Sequence, residues 1–108
     1  MTNEEHLQTL KQGASAWNTW RAERRQERIR LNGEDLRGID LPGVDLSKAE
    51  LIMTDLREAN LREASRSRAV LIGAQLSGAC LRNADLSEAN LSQAILIGAN
   101  LIMAHLRG

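Results

Sequence analysis

The sequence predicts an all-β solenoid: a parallel β-helix of five-residue repeats behind one N-terminal α-helix. Two registers and one absence predict it. A leucine returns every fifth residue from Leu31 to Leu106, and a small residue, most often Ala, stands two places before it. Phe and Tyr are absent, and the two Trp, Trp17 and Trp20, both lie near the N-terminus. A conventional globular core draws much of its bulk from aromatic rings. A core of Leu and Ala instead describes a narrow, regular interior that large rings would not fit.

The leucine register runs Leu31, Leu36, Leu41, Leu46, Leu51, Leu56 and Leu61, and resumes from Leu71 to Leu106; Arg66 alone interrupts it. The small register holds Ala at 49, 59, 64, 69, 74, 79, 84, 89, 94, 99 and 104, and larger residues such as Ile29, Ile39 and Val44 earlier. Between the two registers sits a small polar residue in most repeats, as at Asp40, Asp55, Asn60, Asp85 and Asn100. No α-helix keeps one face at this period, because residues five apart are rotated by about 140°. A simple strand fails as well, since its pleat puts residues five apart on opposite faces. A chain that turns a corner every five residues returns each Leu and its preceding small residue to a common axis. A leucine-rich repeat is excluded by its longer unit of mixed spacing.

The residues Ala59-Asn60-Leu61-Arg62-Glu63, Ala84-Asp85-Leu86-Ser87-Glu88 and Ala99-Asn100-Leu101-Ile102-Met103 resemble the motif of the pentapeptide-repeat family, Ala-Asp/Asn-Leu-x-x. The resemblance covers residues 29–108. It implies a right-handed quadrilateral β-helix of about four twenty-residue coils, with residues twenty apart stacked at about 4.8 Å. The chain is then one structural domain, a capping helix over residues 1–28 and the repeat region over 29–108.

In that stack Arg66 falls in a column with Leu46, Leu86 and Leu106, where an unpaired charge is costly. Three arrangements are open. The backbone through Ser65-Arg66-Ser67-Arg68 bulges and swings the guanidinium outward, which the flanking serines favour. Alternatively Arg66 stays inside and donates to backbone carbonyls or to Glu34, or it is an introduced or lineage-specific substitution. An anion site at Arg66 and Arg68 is a weaker reading. On the outer surface, Asp35 and Asp55 stand beside Arg37 and Arg57, pairs worth little each. Ile52, Met53, Val70 and Ile72 form one outward apolar group. Ile95, Ile97, Ile102 and Met103 form another, and clusters of this kind mark contact surfaces.

A solenoid has to close its open core, usually with an atypical end segment. At the N-terminus Thr2 and Glu5 read as a capping box for a helix running to about Arg28. Leu7, Leu10, Ala14 and Trp17 make one apolar stripe at helical spacing, with Trp20 at its edge; the stripe covers the first coil and the Trp side chains plug its mouth. The segment Ala16-Trp17-Asn18-Thr19-Trp20-Arg21 also resembles the leader of some bacterial pentapeptide-repeat proteins. Arg24, Arg25, Arg28 and Arg30 complement the dipole at the helix C-terminus. At the other end Leu91, Leu96, Leu101 and Leu106 and their strand edges are expected to be open, which invites pairing with another chain. The expectation is a homodimer, end to end through the last coil, Leu106 included, or laterally through Ile95, Ile97, Ile102 and Met103. The rival is a chain whose continuation is missing or supplied by a partner protein.

Composition narrows the function classes. Fourteen basic and fourteen acidic residues cancel, which argues against general affinity for nucleic acid or an anionic membrane. The lone Cys80 forms no internal disulfide, and the N-terminus lacks the apolar stretch of a signal peptide, so a cytoplasmic location is expected. His6 and His105 lie at opposite ends of the rod, Cys80 has no nearby His, and no phosphate-binding glycine loop appears. No catalytic residue, metal site or cofactor is therefore assigned. The leading reading is a non-catalytic structural or protein-interaction module with an unidentified protein partner. The resemblance implies one alternative, a DNA-mimic modulator of DNA gyrase. The repeat region is a poor mimic, with ten acidic against nine basic residues and a short rod.

Overall fold

The computed structural model describes residues 4–106. The chain opens with two helices, α1 over Glu4–Lys11 and α2 over Ala14–Ala22, and then winds through a ladder of parallel bridges. The single helix expected to reach Arg28 is broken, and the cause is local. Gly13 takes φ 108°, a left-handed backbone that a helix interior does not admit. The amides of Gln12 and Gly13 donate back to the Thr9 and Leu10 carbonyls and close α1.

Past Ala22 the chain runs in tight turns. The buried Arg21 side chain donates from Nη1 to the carbonyls of Arg24 at 2.7 Å and Glu27 at 2.9 Å, acceptors that a continuing helix would have given to its own amides. Arg25, Arg28 and Arg30 thus lie beyond the helix, whereas Arg24 reaches back to its last turn and donates to the Trp20 carbonyl at 3.4 Å. Arg24 stacks over Trp20 at 5.0 Å, and Arg28 pairs with Glu50. Thr2 of the expected capping box lies outside the described residues.

From Arg30 onward each bridge joins residues twenty apart, as in Arg30–Glu50–Val70–Asn90 and Asp40–Asn60–Cys80–Asn100. Coil 1 is residues 29–48, coil 2 is 49–68, coil 3 is 69–88 and coil 4 begins at 89. Each side contributes a single bridging residue, because the corner that follows takes up the rest of its five. Within a side the Leu amide donates to a carbonyl in the next coil, and the bridging amide donates to one in the coil before. Leu31 to Glu50 at 2.8 Å and Glu50 to Ile29 at 2.9 Å are one such pair. The leucines of coils 1 to 3 are buried, as are the Ala residues that precede them in coils 2 and 3. Thr54 replaces one Ala and stays satisfied inside, its hydroxyl donating to the Leu31 carbonyl at 2.7 Å.

The corners explain the composition of the outward positions. Each is a four-residue turn closed by the amide of the small register on the carbonyl of the preceding Leu, as in Ala49 to Leu46 at 3.1 Å. The third residue of the turn has positive φ throughout, between 57° at Glu63 and 74° at Gly43. That is the type II pattern, which prefers Pro then Gly at its centre. Leu41-Pro42-Gly43-Val44 supplies both.

Candidate interaction surfaces

The two ends of the helix carry different side chains, and the N-terminal end is engaged by its own helical segment. Trp17 is fully buried, and its Nε1–H donates to the Asp45 carbonyl at 2.7 Å. Asn18 makes two backbone bonds: its Nδ2 donates to the Gly43 carbonyl at 3.0 Å, and its Oδ1 accepts the Asp45 amide at 2.8 Å. In every lower coil such amides pair with backbone, so the Asn18 amide group stands in for a peptide of an absent coil. His6 does the same on the neighbouring side. Its Nδ1 accepts the Arg30 amide at 3.1 Å, while Nε2 meets the Glu27 carboxylate at 2.6 Å. An Nδ1 that accepts leaves the proton of the neutral ring on Nε2, facing that carboxylate. Leu7 and Leu10 are buried beneath α1, and Trp20 is half-buried against Trp17 at 5.1 Å.

On the other two sides of coil 1 the edge carries Asp35, Arg37, Asp40 and Pro42. Charge and proline at an edge discourage pairing with a foreign strand. Arg37 grips Asp35 through two bonds of 2.9 Å, and Arg57 repeats the grip on Asp55 one coil below. The Arg37 side chain holds the Asp35 carboxyl down at about 2, and Arg57 lowers Asp55 in the same way. Asp35, Arg37, Gly38, Arg57 and Glu58 line a shallow open groove, in which each Arg is held by an Asp of its own coil.

The C-terminal end is built differently. Leu91, Leu96 and Leu101 are only half-buried, and Leu106 is 53% exposed. Around them Ile95, Ile102 and Met103 are exposed and Ile97 is 78% exposed, an apolar rim on two adjoining sides. In coil 3 the amides of Leu71, Gly73, Leu76, Gly78, Leu81 and Asn83 donate into coil 4. The amides that follow them by twenty residues, from Leu91 to Met103, find no acceptor among the described residues. The second apolar group is less open: Ile52, Val70 and Ile72 are half-buried, and the exposed Met53 lies over Gly73.

Arg66 stays in the column. It is fully buried, and the expected bulge at Ser65-Arg66-Ser67-Arg68 does not form. The ladder is the reason: the Ser65, Arg66 and Arg68 amides are paired at 2.9, 2.8 and 2.9 Å, and a bulge would orphan them. Neither Glu34 nor any carbonyl receives the guanidinium, whose three nitrogens have no partner among the described residues. Burial lowers its pKa to about 10, which leaves it charged at neutral pH.

Cys80 is a half-buried free thiol in the Asn60–Asn100 ladder, and His105 bridges to Asp85 in the last coil, remote from His6. Sequence reasoning gave no role to His6, Asn18 or Arg21. Asn18 lies within the quoted stretch between the two Trp, but which backbone groups need a partner is set by how the first coil sits.

A family model for pentapeptide repeats matches the chain in eight copies, over residues 28–62, 54–87 and 81–108. Among solved structures the chain is similar to a pentapeptide repeat protein from the Arabidopsis thaliana thylakoid lumen. The two are 39% identical with a TM-score of 0.72, over 73% of this chain and 55% of that one. It is also similar to HetL, a pentapeptide repeat protein involved in heterocyst differentiation regulation from the cyanobacterium Nostoc sp. Strain PCC 7120. That pair is 36% identical with a TM-score of 0.48, over 74% of this chain and 46% of HetL. The chain therefore spans about half the length of these two relatives. No curated protein matches it. Bridges at a spacing of twenty residues and repeat matches from residue 28 to residue 108 make this chain a member of the pentapeptide-repeat family, with that family's right-handed β-helix.

Proposed function

We propose that this chain is a non-catalytic protein-interaction module that associates through its last coil, pairing there with a second copy of itself. The observation that carries the reading is the exposed apolar rim of Ile95, Ile97, Ile102 and Met103 on two adjoining sides of coil 4. The helical segment serves as a lid on coil 1, and the uncovered part of that coil carries Asp35, Arg37, Asp40 and Pro42. On coil 4 that rim adjoins the half-buried Leu91, Leu96 and Leu101. Stacking a second copy there would cover the leucines and the rim together, and apolar burial is worth about 25 cal/mol per Å². A cytoplasmic setting belongs to the same reading, supported by the free Cys80 thiol.

Sedimentation tests it. The protein is expected to be a dimer at tens of micromolar, and Ile97→Glu with Ile102→Glu should give a monomer with unchanged circular dichroism. A wild-type protein that stays monomeric at that concentration overturns the reading. A double variant that still dimerises rejects the last coil as the interface.

A further inference from the structure

We propose that Arg66 makes coils 3 and 4 open as a single unit, so that the boundary between coils 2 and 3 opens nearly as often as the boundary between coils 3 and 4. Arg66 closes coil 2 on its side, with Leu46 above it and Leu86 below. It is fully buried and its three side-chain nitrogens are unpartnered among the described residues. Burying an unpaired charge is among the most costly arrangements a core contains. The cost is removed by any opening that brings water to the guanidinium. Fraying of coil 4 alone does not, because Leu86 still covers the site. Separation at the boundary between residues 68 and 69 does, and it leaves coil 1 and its helical lid intact.

A solenoid is held by nearest-neighbour contacts, so one weakened boundary divides it into units of different stability. The part in use at that boundary is the interaction end. Resting on the association proposed above, a second copy stacked on coil 4 would stabilise coils 3 and 4 by mass action and hold the boundary shut. Assembly and ordering of the lower half would then be coupled.

Two sets of amides report on the two boundaries with matched geometry. Leu71, Leu76, Leu81 and Leu86 donate from coil 3 into coil 4 at 2.8, 2.7, 2.8 and 2.8 Å. Leu51, Leu56, Leu61 and Arg66 donate from coil 2 into coil 3 at 2.7, 2.8, 2.8 and 2.8 Å. Hydrogen exchange on the full chain, at a concentration where sedimentation shows monomer, should find the two sets exchanging within about tenfold of one another. Arg66→Leu should slow the second set by about a hundredfold and leave the first nearly unchanged. Arg66→Lys, which keeps the charge, should leave the two sets together. Simple fraying gives a wild-type profile graded from coil 4 inward that Arg66→Leu leaves unchanged, and that result overturns the proposal, as does an Arg66→Leu variant that slows both sets alike. The association reading fails separately: a protein that is monomeric at all concentrations but whose two sets exchange together keeps this inference and loses only its link to assembly.

Discussion

Asn18 shows how one side chain replaces a backbone. Its amide carries a donor and an acceptor in the spacing of a peptide group, so it satisfies both the Gly43 carbonyl and the Asp45 amide. Asn18→Ala leaves two groups of coil 1 without partners and should cost about 1–3 kcal/mol, read by urea unfolding. Asn18→Asp keeps the acceptor alone and should fall between. Trp17 contributes mostly volume, with a single bond to the Asp45 carbonyl. Trp17→Phe is therefore expected to cost less than Trp17→Ala, the latter about 3–5 kcal/mol. Equal losses for the two would place the Trp17 contribution in the bond instead. Arg66 is the opposite case, a long polar side chain kept inside because its backbone has nowhere better to go. Replacing it with Leu should raise the unfolding free energy by about 3 kcal/mol, with the denaturant slope measured alongside.

The element that repeats is the corner, and its demand is a left-handed third residue. Glycine meets it without strain at Gly43, whereas Lys48, Glu58, Glu63 and Arg68 meet it at φ values near 60°. A methyl group at Gly43 meets no atom within 4 Å, so the loss in Gly43→Ala is conformational, about 1–2 kcal/mol. A thermal midpoint unchanged by this substitution would mean that the corner carries no such strain.

The charged ladder on the side of Asp35 and Asp55 has its own signature. The carboxyl of Asp35 is lowered from 3.8 to about 2 by its bonds to Arg37. A lowered acid stabilises the fold above its ordinary range and loses that contribution as the pH falls from about 4 through about 2. Thermal midpoints of Asp35→Asn should therefore match the wild type more closely at pH 2 than at pH 6. The effect is small, because these groups are exposed and water screens them.

For the whole molecule, the consequence of a regular interior is that distinction falls to the outward positions and to the departures from the repeat. Coils 1 to 3 bury their leucines alike, and Arg66 and Thr54 are the polar side chains set among them. Distinction comes from the helical segment packed on coil 1, the Arg66 guanidinium inside coil 2, unpartnered among the described residues, and the exposed rim on coil 4. Added salt weakens the Arg37–Asp35 and Arg57–Asp55 pairs but strengthens apolar association when the anion is sulfate. The proposed dimer is accordingly expected to tighten in ammonium sulfate, checked by the sedimentation coefficient at fixed protein concentration. A dimer that dissociates as sulfate rises would point to a charged interface.

The five-residue period was enough to place the inward leucines of coils 1 to 3, because a side chain that must return to a common axis leaves its spacing in the sequence. The same register located Ile95, Ile97, Ile102, Met103 and Leu106 on the last coil and Arg66 within a leucine column. The break of the N-terminal helix at Gly13 was not legible, since the apolar stripe of Leu7, Leu10 and Trp17 is compatible with a continuous helix. Nor were the bonds of Asn18 and His6, which depend on which amides coil 1 leaves open. Whether Arg66 bulges outward or stays inside was decided by the ladder alone. The hydrogen bonds that hold residues 65 to 68 in register come from residues about twenty positions away on either side, and a local reading of two flanking serines does not contain them.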